Sequence, residues 1–241
     1  MKIALCISGY FNSFTDLESK GIDGFSHIKK HILDKHDVDV YIHSWDVVNR
    51  DFIESLYKKW LVTSKFELQM SFDEIICENN LNSFSGARPI SSIFSHLYSA
   101  QESYKLSYNS LKKYDLVFGT RFDVGRINRR TSGPHNYNNP YPVQCINLVD
   151  SIQNDKIYMA NWQYFETEGP CPFWLYGSYT TMNPFCEIYD FAKNEFKPNS
   201  EYEQMCGTND GGMVNVTKLY KWFMIKNKLW ENRINLETVW E

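Results

Sequence analysis

Along the first 120 residues the apolar positions switch between a strand-like and a helix-like spacing. Residues 2–8 (Lys-Ile-Ala-Leu-Cys-Ile-Ser) form an Ile- and Leu-rich run that Gly9 ends, as a buried strand does. Residues 24–35 then place Phe25, Ile28 and Ile32 on one helical face. The run Asp-Val-Asp-Val-Tyr-Ile-His at 37–43 predicts a second buried strand. In 49–61, Phe52, Leu56 and Trp60 fall at i, i+4 and i+8 of a short amphipathic helix. Short strands are predicted at 66–70 and 74–77. Residues 91–113 carry the clearest helical pattern: Ile93, Leu97, Ala100, Tyr104 and Leu111 share a face, and Lys112 and Lys113 complement its C-terminal dipole. Residues 115–119 (Asp-Leu-Val-Phe-Gly) read as a third buried strand. Beyond it, 126–144 read as a loop, 157–160 and 173–176 as strands, and 184–194 and 212–228 as helices.

This order of strands and helices predicts an α/β fold, a mostly parallel sheet flanked by helices. No repeat, low-complexity tract or linker divides the chain, so a single domain over 1–241 is expected. In open α/β sheets ligands bind beyond the carboxyl ends of the strands. That rule selects Ser8-Gly9-Tyr10, His43-Ser44-Trp45-Asp46 and Thr120-Arg121-Phe122-Asp123.

Composition narrows the classes of function. The chain has 241 residues, with 25 Lys and Arg against 29 Asp and Glu, so its formal charge is −4. A mildly acidic chain without a basic block speaks against nucleic acid as its partner. The N-terminal apolar run is five residues, against about 7–15 for a signal-peptide core and about 20 for a membrane span. A cytoplasmic protein without a membrane span is therefore expected. The six cysteines include no C-x-x-C pair and no zinc spacing, so reduced, mostly core thiols are expected. Aromatic residues make 16% of the chain, which suits a thick core and also sites that stack on bases or sugar rings.

The three strand ends differ in the chemistry they offer. Residues 8–14 (Ser-Gly-Tyr-Phe-Asn-Ser-Phe) contain neither a dinucleotide fingerprint nor a P-loop, but they offer a glycine, hydroxyls and stacking rings. Asp123 suits a hard cation that also binds diphosphate oxygens, and Arg121 suits phosphate or Asp123 itself.

These residues resemble a known family. Residues 114–124 (Y-D-L-V-F-G-T-R-F-D-V) are similar to the Y-D-x-V-I-x-x-R-x-D-L segment of small GT-A-type nucleotide-sugar glycosyltransferases. Such enzymes occur in bacterial surface-polysaccharide clusters and large DNA viruses. Residues 4–14 (A-L-C-I-S-G-Y-F-N-S-F) resemble their opening C-I-S-G-x-x-R-S-F. Residues 37–46 (D-V-D-V-Y-I-H-S-W-D) resemble their D-V-F-I-H-T-W. Residues 173–189 resemble a later D-x-F-x-x-G-S-x-x-x-M-x-x-F-x-x-L-Y. Two positions depart from the pattern: Asn12 stands where Arg is usual, and Arg121 takes the first acidic position of a D-x-D.

The resemblance implies a GT-A-like (Rossmann-like) fold, with 1–125 as the nucleotide-sugar half and 126–241 as the acceptor half. It implies transfer of a sugar from a nucleoside-diphosphate sugar to a glycan or saccharide hydroxyl, assisted by Mn²⁺ or Mg²⁺. Ser8, Gly9 and Tyr10 would line the base and ribose pocket, and His43, Trp45 and Tyr98 would stand near it. Arg121 would lie by the diphosphate and Asp123 would hold the metal. Asp210 is the first candidate for general base, with Glu166, Glu168, Glu201 and Glu203 as alternatives. The aromatic group Trp162, Tyr164, Phe165, Phe173, Trp174 and Tyr176 is either an acceptor platform or core. The missing first carboxylate motivates an alternative: a carbohydrate- or nucleotide-binding module without turnover.

Overall fold

The computed structural model describes residues 1–11, 20–81, 89–125, 145–161, 165–170, 172–206 and 215–237. Strands β1 (Lys2–Gly9), β2 (Asp37–Ser44), β3 (Leu61–Phe66), β4 (Leu116–Arg121), β5 (Ile157–Ala160), β6 (Trp174–Ser178) and β7 (Arg233–Leu236) form one sheet of order β3-β2-β1-β4-β6-β5-β7. Pairing is parallel from β3 to β4 and from β5 to β7, while β6 is antiparallel to both its neighbours. Six strands thus share a direction and β6 alone opposes them. The α/β, mostly parallel sheet flanked by helices is the fold observed.

The helices are α1 (Lys20–Ile28, continued by a π turn to Leu33), α2 (Arg50–Tyr57), α3 (Asp73–Glu78), α4 (Ile90–Asn109), α5 (Phe165–Glu168), α6 (Tyr179–Met182), α7 (Ile188–Glu195), α8 (Glu201–Cys206) and α9 (Val216–Lys226). Period-2 alternation along β1 decides which of them it meets. Ile3, Leu5 and Ile7 join Ile28, Ile32, Leu33, Ile53 and Tyr57 on the α1 and α2 face. Ala4 and Cys6 join Ile93, Phe94, Leu97 and Tyr104 of α4, together with α7 and α9, on the other. The chain leaves β1 for β2 across one face and returns to β4, on β1's other side, across the opposite one. The gap between the carboxyl ends of β1 and β4 is therefore a topological switch point.

Several boundaries differ from the sequence expectation. The strand expected at 66–70 lies at Leu61–Phe66, so the preceding helix stops at Tyr57. Residues 74–77 are helical: the Asp73 N–H donates to Ser71 Oγ and starts a turn that buries Ile76. The helix expected from 212 starts at Val216, where the Asn215 side chain accepts from the N–H groups of Thr217 and Lys218. Asn215 caps this helix. The short strand β7 and helix α8 carry no clear periodicity and were not expected. Among the described residues no helix is long and apolar enough to cross a membrane. Cys6, Cys77, Cys145 and Cys186 are free thiols.

The aromatic excess is largely core. Phe118, Tyr176 and Tyr158 stand opposite one another on β4, β6 and β5, and their rings stack at 5.2 and 5.0 Å. Trp174 and Tyr176 are fully buried, so these two members of the expected platform belong to the core. Trp162 and Tyr164 lie outside the described residues, as does the side chain of Phe165.

Candidate functional site

Strand register assembles the candidate site. Lys65 on β3 stands opposite His43 on β2, His43 opposite Ser8 on β1, and Ser8 opposite Arg121 on β4. One row at the carboxyl rim therefore carries Lys65, His43, Ser8 and Arg121. Residues of one row share a face, and the contacts of Lys65, His43 and Ser8 place this one beneath α4.

The centre of the row is a relay of hydrogen bonds. The Gly9 N–H donates to Ser99 Oγ at 2.8 Å. Ser99 Oγ lies 2.8 Å from His43 Nδ1, and His43 Nε2 lies 2.9 Å from Glu67 Oε1. A carboxylate only accepts, so Nε2 carries the proton and Nδ1 accepts from Ser99. Every group then donates in one direction, from Gly9 to Glu67. Burial holds the His43 imidazole below its ordinary pKa, against the opposing pull of Glu67, and so favours the neutral ring that the relay needs. Gly9 itself has φ +102°, a left-handed conformation that glycine adopts without strain. Its carbonyl accepts from Ser44 Oγ at 2.8 Å. The bend after β1 is thus fixed by both α4 and β2.

The outer end of the relay is charged. Lys65 bridges Glu102 at 2.8 Å and Glu67 at 3.2 Å and donates to Tyr98 Oη at 3.3 Å. Burial would lower the Lys65 pKa, but these partners outweigh it and raise it. Burial likewise opposes ionisation of Glu67, while His43 and Lys65 together hold its pKa below the ordinary value. Lys65, Glu67 and Glu102 were missed in the sequence. The signal for Lys65 and Glu67 was the Lys-Phe-Glu alternation at the end of a strand, which puts both charges on one face.

The expected residues fall into two groups. Ser8, Gly9, Tyr10, Arg121 and Asp123 lie on or just after β1 and β4, at the switch point. Tyr10 is half-buried and donates from Oη to Gln69 Oε1 at 2.8 Å. His43 and Trp45 are buried, Trp45 being stacked on the half-buried Tyr98 at 5.2 Å. The His43 side chain is fully enclosed and Trp45 nearly so. Asp210 lies outside the described residues. The other candidate carboxylates have partners: Glu166 with Arg233, Glu168 with Asn215, Glu201 with Lys226 and Glu203 with the Asn199 N–H.

At the β4 end, Arg121 donates from Nε to Asp123 Oδ1 at 2.8 Å and from Nη2 to Oδ2 at 2.7 Å. Its guanidinium lies 4.7 Å from the centre of the Phe173 ring. Ser8, Thr120 and Arg121 border a cavity of about 10 Å³ whose walls include His96, Ser103 and Tyr220, about enough for one water. Helix α1 supports this loop from the other face. Gly24 packs so closely that a Cβ there would lie 1.7 Å from the Phe122 carbonyl oxygen.

No protein-family model matches the chain, and no curated protein matches it. A solved structure that resembles it is mouse xyloside xylosyltransferase 1 in its apo form, 10% identical with a TM-score of 0.48. The match covers 98% of this chain and 85% of that one. At that identity and score the likeness adds nothing to what the sheet order already shows.

Proposed function

We propose that this chain is a glycosyltransferase that moves a sugar from a nucleoside-diphosphate sugar to a saccharide hydroxyl. The observation that supports it best is the convergence at one rim. Three segments that resemble the glycosyltransferase pattern, 4–14, 37–46 and 114–124, lie on or run into the adjacent strands β1, β2 and β4. In this reading Ser8, Gly9 and the Tyr10 ring receive the base and ribose, and Arg121 faces the diphosphate. The acceptor oxygen forms a bond to the anomeric carbon while the bond from that carbon to the diphosphate breaks. The electron pair leaves on the phosphate, and Asp210 would take the acceptor's proton as general base.

A divalent cation at Asp123 would act as a Lewis acid on the departing diphosphate. Both Asp123 oxygens are engaged by Arg121, so a cation would compete with the guanidinium for the same atoms. Among the described residues no three His, Cys, Asp or Glu side chains are grouped to hold a metal. The residues as arranged do not fit the ion.

The test is release of nucleoside diphosphate from a panel of nucleotide sugars, with and without saccharide acceptors, alongside thermal-shift screening. Acceptor-dependent release from one donor is the expected result. Stabilisation by adenosylmethionine and by no nucleotide sugar would overturn the reading. Arg121 in the first acidic position of the resembled pattern and the closed Arg121–Asp123 pair favour one second reading, a nucleotide-sugar-binding module without turnover. Tight donor binding with no release against any acceptor would select it.

A further inference from the structure

The carboxylates of the rim are all engaged. Glu67 meets His43 and Lys65, Glu102 meets Lys65 and Lys105, and both oxygens of Asp46 accept from Asn49. Asp123 is held by the strongest geometry of the set, a two-pronged guanidinium–carboxylate pair. A divalent cation brought to that carboxylate would meet a guanidinium already on both oxygens, and like charges at such range repel.

We propose that Arg121 is the cation that meets the donor's diphosphate, and that Asp123 is a positioning residue for Arg121 instead of a metal ligand. This deepens the donor reading given above and rests on it. Arg121 is paired in register with Ser8, so the guanidinium stands at the switch point where ligands of open sheets bind. Asp123 holds it along one edge and Phe173 lies against its face at 4.7 Å, so two contacts fix its direction. The side chain is still 28% exposed. Nε–H and one Nη2–H point to Asp123. The guanidinium's other three N–H donors have no hydrogen-bond partner among the described residues. Their planar array suits phosphate oxygens. Lysine at this position would carry the charge but could not hold Asp123 and phosphate in one plane.

The test is titration calorimetry with UDP, GDP, CDP, dTDP and inorganic pyrophosphate, each in excess EDTA and in excess Mn²⁺. One nucleotide is expected to bind equally, within about twofold, in the two buffers. Arg121→Ala should weaken it about tenfold or more, the scale of a lost charge-assisted pair. Arg121→Lys should fall between, and Asp123→Asn should cause a smaller loss that stays insensitive to the chelator. These two variants keep the native side-chain size, so they carry the test if Arg121→Ala does not fold. Affinity that rises about tenfold with Mn²⁺, with the rise erased by Asp123→Asn, would overturn the assignment, as would undiminished binding by Arg121→Ala. Pyrophosphate bound in EDTA through Arg121, with no nucleotide bound, would keep the guanidinium site and sink the donor reading. No binding by any probe in either buffer would sink both.

Discussion

Gly24→Ala sets two effects of known sign against each other. In an ordinary helix interior alanine gains about 1 kcal/mol over glycine. Here the new Cβ would lie 1.7 Å from the Phe122 carbonyl oxygen and 2.8 Å from its carbon, against a floor of 3.0 Å for real contacts. The deficit is about 1.3 Å, and the obstacle is backbone, which cannot rotate away as a side-chain tip can. Overpacking of this kind costs about 1–3 kcal/mol and at times more, and a backbone obstacle puts this case at the upper end. Subtracting the helical gain leaves a net loss of about 2 kcal/mol. For a chain of this size that lowers Tm by about 4–8 °C. The loss has a functional side, because Phe122 lies between Arg121 and Asp123 and the displaced carbonyl moves both. Differential scanning calorimetry with a parallel nucleoside-diphosphate titration measures the two effects together. Ser26→Ala, at an exposed position of the same helix, is the control and should leave both unchanged. An unchanged or raised Tm in Gly24→Ala would show that propensity wins and that α1 does not support the Arg121–Asp123 loop.

Four further outcomes follow from particular contacts. His43 has a folded-state pKa below its ordinary 6.5, so the unfolded chain takes up the proton first. Its contribution is complete above about pH 6.5 and is lost as the pH falls below that value; urea midpoints across this range should slope accordingly, and His43→Gln should flatten the slope. Ser99→Ala removes the acceptor of the Gly9 N–H and the donor to His43, so it should cost about 1–3 kcal/mol in urea unfolding; a loss no larger than that of an exposed Ser→Ala would refute the relay. Buried Gln101 accepts from the N–H groups of Tyr189 and Asp190 in the first turn of α7. Gln101→Leu should cost about 2 kcal/mol or more by the same measurement, since both donors lose their acceptor. Tyr57 Oη is buried with no hydrogen-bond partner among the described residues, so Tyr57→Phe should raise Tm, and a lower Tm would show that the hydroxyl is bonded after all.

The strand ends were legible because a parallel strand buried on both faces stands out as an apolar run, and the residue that breaks the run marks its carboxyl end. That is how Ser8-Gly9-Tyr10, His43-Ser44-Trp45-Asp46 and Thr120-Arg121-Phe122-Asp123 stand out. Asp73-Glu-Ile-Ile-Cys misled for the opposite reason. Its Ile-Ile-Cys triplet favours a strand, but it is too short to outweigh the turn that Ser71 starts. Trp45 illustrates a different limit. Position at a strand end made it a candidate, whereas its stacking on Tyr98, more than fifty residues away, is brought about only by α4.

By itself the sequence determined the α/β class, the strand ends that form the rim and the separation of β1 into two faces, because each rests on a period of two or 3.6 within one segment. It also supplied Arg121 and Asp123 as the charged pair at the carboxyl end of β4. Only the tertiary structure decided that β1 lies between β2 and β4, and hence that Lys65, His43, Ser8 and Arg121 form one row. It alone showed that Ser99 reaches across from α4 to hold Gly9, that Lys65 and Glu67 close the relay, and that Asp123 has both oxygens on Arg121. Local spacing fixes which way a side chain points; what it meets there is set by strand order and helix crossings, which join segments far apart in the chain.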